Sequence, residues 1–203
     1  MRIAFIVEGD TEKVFLPHLR RFLETRLQTA GMPKIVPKPA DGRIATGDKP
    51  KRIVDRHLNA SKPPFDAVIA LTDVYTGKGE FSNADDAKAK MRQWVEPERR
   101  FYPHAAQYDF EAWLLPYWDR IRSMSGTHRP PIKGAPEQVN HGNPPAHRLR
   151  EIFYLGSKRE YSKTRDAPRI LHDQDLMTAI QACPELKALV NTILQLCGGE
   201  TIA

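Results

Sequence analysis

The sequence predicts an α/β fold: a mostly parallel sheet with helices on both faces, plus a helical region at the C-terminal end. Three observations predict it. Short apolar runs alternate with amphipathic segments of helical length, the pattern of successive βαβ units. Two of those runs, Ile3 to Val7 and Asp66 to Thr72, are almost continuously apolar, as strands covered on both faces are. Three runs also lead into acid, at Glu8, at Asp73 and at the pair Asp109/Glu111.

Each element follows in order. The first strand, Ile3 to Val7, stops at Glu8-Gly9 and a helix start. One reading of that junction is a glycine turn with Asp10 or Thr11 as N-cap and Glu12 in the first helical turn. The other is a ligand site, because ligands of open α/β sheets gather beyond the carboxyl ends of the strands. Val14, Phe15, Leu19, Phe22, Leu23 and Leu27 then recur at helical spacing, giving an amphipathic helix over residues 11–28 with a basic face at Arg20, Arg21 and Arg26. Pro17 lacks a backbone donor, which predicts a kink or a late helix start, and Gly31 and Pro33 end the helix.

Lys34 to Pro39 reads as a short edge strand, since its prolines exclude a central place. Lys51 to Ala60 reads as a helix with Ile53, Val54 and Leu58 inward. After the strand that ends at Asp73, Asn83 caps a helix reaching Val95, and Phe101 to Gln107 is the next strand. It leads into Tyr108 to Leu115, read as a helix that begins in acid. Met124 to Pro145 is rich in Pro, Gly, Asn and His and reads as a long loop or lid. Ala146 to Tyr154, Leu171 to Ala182 and Leu186 to Cys197 read as helices, with no strand signal in this last quarter. The expected organisation is an α/β domain over 1–120, a loop or lid over 121–145, and a helical region over 146–203 packed on the same domain.

The 203 residues, 40% hydrophobic and 28% charged, suffice to bury a core. A net charge of +6 and a pI near 9.4 suit a polyanionic partner without requiring one. Cys183 and Cys197 match neither a zinc spacing nor a disulfide framework and read as reduced thiols. No apolar run approaches the length of a membrane span, and Ile3 to Val7 is too short for a signal-peptide core, so a cytoplasmic location is expected. There is no phosphate-binding Gly-x-x-x-x-Gly-Lys-Ser/Thr loop and no Gly-x-Ser-x-Gly elbow, and the histidines are scattered without zinc spacing.

The acids are the chemically informative feature. Parallel strands would place Glu8, Asp73 and Asp109/Glu111 at one sheet edge, where carboxylates can hold a hard divalent cation such as Mg2+ together with water and phosphate oxygens. That chemistry is phosphoryl transfer or phosphodiester cleavage. Each acid also has a plain structural role open to it: Asp73 capping a turn before Thr76-Gly77, Asp109 or Glu111 starting a helix. Arg148, Arg150, Lys158, Arg159, Lys163, Arg165 and Arg169 cluster beside Tyr154 and Tyr161, either as a phosphate-tracking surface with stacking rings or as a solvated helix face.

The series Val7-Glu8-Gly9-Asp10-Thr11-Glu12, Leu71-Thr72-Asp73-Val74-Tyr75, Asp109-Phe110-Glu111-Ala112-Trp113-Leu114-Leu115 and Tyr161-Ser162-Lys163 resembles a family of small bacterial proteins known as domain of unknown function 4276. That family is similar to Toprim domains, the metal-binding fold of topoisomerases, primases and overcoming-lysogenization-defect nucleases. The resemblance implies a Toprim-like (Rossmann-like) domain and a Mg2+- or Mn2+-dependent nuclease, or nuclease subunit, acting on nucleic acid. It places Glu8 on the glutamate after the first strand, for acid/base work or metal binding, and Asp73 on the first aspartate of the Toprim Asp-x-Asp motif. Tyr75 replaces the second aspartate, and Glu111 or Asp109 would supply the lost charge.

The expected catalytic set is therefore Glu8, Asp73 and Glu111, with Asp109 joining them as metal ligand. Lys163 is the expected phosphate contact, supported by Arg165, Arg148 and Lys158. Relatives of this kind are often encoded beside ATPases in bacterial defence systems, which implies an ATPase partner. The competing expectation, favoured by Tyr75, is a non-catalytic module that keeps the fold and docks nucleic acid or an ATPase. A tyrosine nucleophile at Tyr75 is disfavoured, because topoisomerases place theirs outside the Toprim domain and need a strand-passage apparatus larger than this chain.

Overall fold

The computed structural model describes residues 1–28, 30–40, 44–75, 79–139 and 143–203; of residues 10–13 the backbone alone is described. Four strands, β1 (Arg2–Val7), β2 (Lys34–Pro39), β3 (Ala67–Asp73) and β4 (Phe101–Ala106), form one sheet in the order β2-β1-β3-β4, every neighbouring pair parallel. β2 lies at the edge, where its prolines need give no hydrogen bond to a further strand.

Side-chain alternation divides the core. Ile3, Phe5 and Val7 of β1 and Ala67, Ile69 and Leu71 of β3 face one layer, with Phe15, Leu19 and Leu23 of α1 (Asp10–Arg26) and Leu186, Leu189, Val190 and Ile193 of α8 (Pro184–Leu196). Ala4, Ile6, Val68 and Ala70 face the other, against Val54 of α2 (Lys49–Asp55) and Met91 and Val95 of α3 (Ala84–Val95). Both faces are covered, as the apolar runs require. Each fully buried large apolar side chain here contributes roughly 1.5–3 kcal/mol.

The remaining helices are α4 (Trp118–Ser125), α5 (Pro145–Ser157), α6 (Lys163–Leu171) and α7 (Leu176–Ala182). Residues of the C-terminal helices share the first core layer with β1, β3 and α1. Asn83 caps α3 as expected, its side chain accepting from Asp86 N at 2.8 Å. Among the described residues no helix is long and apolar enough to cross a membrane.

Several elements differ from expectation. α1 runs through Pro17 as one helix. α2 starts at Lys49 and passes into a π-helical turn, Arg56–Ala60, instead of ending as a plain α-helix. Where a helix from Tyr108 was expected, Tyr108 turns into the left-handed region (φ 71°) and a 3-10 turn, Phe110–Leu114, follows. α4 and α6 stand where no helix was expected, and the helix expected from Leu171 starts at Leu176, with the Asp175 side chain accepting from Met177 N at 2.9 Å.

The irregular stretch therefore begins at Gly126, and part of it is pinned down. The buried Glu137 carboxylate accepts from Trp113 Nε1 (2.9 Å) and from Glu185 N (3.0 Å), and Val139 lies in the core. Gly156, near the end of α5, passes so close to the end of α4 that a Cβ there would lie 2.2 Å from the Ser125 carbonyl oxygen. The caps suggested for Asp10, Thr11 and Glu12, the Thr76-Gly77 turn, and His141 and Gly142 lie outside the described residues or side chains.

Candidate functional site at the carboxyl edge of the sheet

Register brings the first two acids together. Val7 pairs with Leu71, so Glu8 leaves β1 beside Thr72, one residue before Asp73. The Thr72 hydroxyl donates to Glu8 Oε1, and Ile44 N lies 3.5 Å from the same oxygen. Both carboxylates are half-buried at the rim. Asp73 pairs with Ala106 at the end of β4, and its Oδ1 accepts from Phe110 N at 2.9 Å, which ties the β3 end to the 3-10 turn.

Asp109 and Glu111 flank that turn, deeper in the protein. Asp109 Oδ2 accepts from Ala146 N in the first turn of α5 at 3.1 Å, while its Oδ1 has no hydrogen-bond partner of normal geometry among the described residues. Burial first, and the neighbouring Glu111 second, push the Asp109 carboxyl up to about 7. Glu111 is 0% exposed. Its Oε1 accepts from Tyr161 OH at 3.3 Å, and its Oε2 lies 3.0 Å from Lys163 Nζ.

Lys163 is the first residue of α6 and the cation of this group. Burial works to lower its ammonium, but the charges of Glu111, Asp73 and Asp109 outweigh it and push the group up. Lys163 is thus charged and drawn in among the acids. The segment before α6 is held by Asp166, fully buried, which accepts from Arg159 Nη1 (2.9 Å), Arg165 Nη2 (2.9 Å) and Ser162 N (2.8 Å). Burial opposes its ionisation, but those donors hold the carboxyl down to about 2.

The structure separates the other basic candidates from the acids to differing degrees. Arg165 serves Asp166, and Arg148 lies 3.8 Å from Glu151. Lys158 is the C-cap of α5, its ammonium 5.7 Å from the Tyr154 ring. Twelve residues of helical rise from Ala146 put it roughly 18 Å from the end of α5 that meets Asp109. Tyr75 is 52% exposed, and its N–H donates to Tyr108 O at 2.6 Å.

Asp166 and Glu137 were not found by the sequence reading. For Asp166 the only signal is the adjacent Arg165, and for Glu137 there is none, because both of its donors come from distant segments.

The fit to a hard metal ion rests on the donor set. Magnesium takes one or two carboxylates and completes its shell with water and substrate phosphate. The all-oxygen pair Glu8 and Asp73, adjacent at a half-exposed rim, suits that habit. Among the described residues there is no group of three or more His, Cys, Asp or Glu side chains arranged to hold an ion.

An all-parallel four-stranded sheet covered on both faces, with acids at the carboxyl ends of β1 and β3, is an α/β fold of the Toprim-like (Rossmann-like) kind. The chain belongs to the family described as "Domain of unknown function (DUF4276)", whose sequence profile matches residues 7–194. Two solved structures are similar in fold. The C-terminal region of the Burkholderia pseudomallei OLD protein has a TM-score of 0.53 and 12% identity, over 96% of this chain and 98% of that one. The C-terminal region of the Xanthomonas campestris pv. campestris OLD protein has a TM-score of 0.50 and 14% identity, over 97% and 96%. At such identities the likeness is one of fold. No match to a curated protein reaches significance.

Proposed function

We propose that the protein is a metal-dependent phosphodiesterase, a nuclease or nuclease subunit acting on nucleic acid, with Mg2+ or Mn2+ held by Glu8 and Asp73. The observation that carries this reading is the juxtaposition of those two acids across the β1–β3 register, with the Lys163 ammonium drawn toward the same edge. When bound, the ion supplies neutralising charge to a phosphodiester and lowers the pKa of a water. Thr72 orients the Glu8 carboxylate through its hydroxyl, and the Phe110 N–H orients Asp73. Lys163, always charged, contacts the phosphate through Nζ, and Glu111 and Tyr161 position it from behind. Asp109 and Glu111 are positioning residues in this reading, because both are buried behind the rim.

The wider setting, an ATPase partner and a role in bacterial defence, is supported by the resemblance and by the fact that the similar structures are regions of longer OLD proteins. One observation favours the second reading, a non-catalytic module docking nucleic acid or an ATPase: Tyr75 stands exposed where the motif has its second aspartate.

Cleavage of plasmid DNA and structured RNA with Mg2+ or Mn2+ tests the choice. Glu8→Gln and Asp73→Asn are each expected to lower the rate by about a hundredfold or more. Failure of the wild type both to cleave and to bind Mn2+ would leave the docking module, whereas Mn2+ binding without cleavage would point to a missing partner.

A further inference from the structure

Beside the acidic edge lies a cavity of about 950 Å³, between the end of β2 and α2 with its π-helical turn. Its volume is within the range of small-molecule sites, roughly 300–1,000 Å³. Lys38, Lys49 and Arg56 line it, with the buried His57 among them, and Ile6 and Ile53 give it an apolar wall. Among the described residues none of the three cations has a carboxylate within ion-pair distance; Lys51, outside the lining, takes Asp55. The Lys38 ammonium lies over the Phe65 ring, 5.3 Å from its centre. Burial, with Lys38 and Arg56 alongside, pushes the His57 imidazole down, the response of a group in a positively charged recess.

The cavity adjoins the strand-end site through the backbone. Lys38 is the register partner of Ile6, two residues before Glu8, and Ala40 N donates to Val7 O at 2.9 Å. Residues 45–46 form part of the cavity wall, directly after Ile44, whose N–H points at the Glu8 carboxylate.

Cations without an ion-pair partner among the described residues, set around an apolar wall, select a ligand that is both anionic and partly apolar, and a bare inorganic ion would leave most of this volume empty. A nucleotide has both parts: phosphate for the three cations and a flat base for Ile6 and Ile53. We propose that this cavity is a nucleotide subsite, taking a nucleotide of the strand whose neighbouring phosphodiester lies at Glu8 and Asp73; this identification of the strand rests on the phosphodiesterase reading above. Lys49 and Arg56 hold the phosphate at the exposed mouth, and Lys38 holds it further in. The free nucleotide has the same chemistry, and the two sources separate by experiment.

The test is fluorescence anisotropy of a short fluorescein-labelled single-stranded oligonucleotide, in EDTA so that no cleavage occurs, with AMP and inorganic phosphate as competitors. Lys49→Glu and Arg56→Glu change exposed side chains, and Lys38→Ala is a third variant; thermal melting checks that each still folds. Each reversal is expected to weaken binding about tenfold, the loss of one charge-assisted contact.

AMP that competes, against phosphate that does not, supports a site for the whole nucleotide. AMP binding that depends on Lys49 and Arg56 without oligonucleotide binding keeps the cavity as a free-nucleotide site and overturns the strand. Oligonucleotide binding untouched by all three substitutions overturns the cavity and leaves the phosphodiesterase reading standing. Binding of neither probe also overturns the cavity, and the cleavage assay then judges the rim acids separately.

Discussion

Glu8 and Asp73 leave adjacent strands within one register step and stay half-buried at the rim, whereas Asp109 and Glu111, just past the end of β4, are buried and tied to α5 and α6. The two pairs are alike in type and differ in what surrounds them. The rim pair is oriented by Thr72 and Phe110 and keeps a face toward solvent. The inner pair is shut in with an ammonium, a phenol and a helix N-terminus, so its charge is spent on holding those groups in place. Charge at a strand end is therefore insufficient to mark a ligand; in the proposed reading it is exposure that divides ligand from support.

Substitutions should separate the pairs by stability. The largest loss is expected for Lys163→Met, which leaves the Glu111 carboxylate buried without its cation, at a cost of about 3–5 kcal/mol. Adding Glu111→Gln should restore most of it, and a double-mutant cycle by urea unfolding with no coupling would dissolve the proposed support pair. Asp166→Ala follows, at roughly 2–4 kcal/mol, since it unfastens Arg159, Arg165 and Ser162 together. Because that carboxyl is held down to about 2, its contribution is present above the unfolded value near 3.8 and fades as pH falls toward 2.

Asp109→Asn is expected to act through pH. The folded carboxyl sits at about 7, above its unfolded value of 3.8, so the folded state binds the extra proton and wild-type stability falls as pH rises between those values. The asparagine variant should lose that slope and be relatively more stable above pH 7, and an unchanged slope in melting scans would remove Asp109 from the inner pair. Smallest of all, Glu8→Gln and Asp73→Asn should change stability by within about 1 kcal/mol while lowering cleavage by about a hundredfold or more. A large stability loss at either would erase the distinction between rim and interior.

Much of this was legible in the residues. Nearly continuous apolar runs marked β1 and β3, Phe101 to Gln107 read as a further strand, and the carboxylates after β1 and β3 came to one rim once the strands ran parallel. α6 was not, because Pro168 interrupts its pattern and charged residues fill much of its length. With α6 unread, nothing in the sequence could say that Lys163 begins a helix aimed at Glu111. The left-handed Tyr108 was equally invisible, since a bulky residue seldom takes that conformation, and it converts the expected helix into the short turn that buries both inner acids.

Gly156 carries a mechanical consequence. α5 is a stiff rod whose first turn meets Asp109 and whose far end rests, backbone against backbone, on Ser125. Any side chain at Gly156 must lift that end, and a rod pivots before it bends. The displacement would arrive about 15 Å away as a changed grip of Ala146 on Asp109, so a residue far along α5 sets the tension on an inner acid.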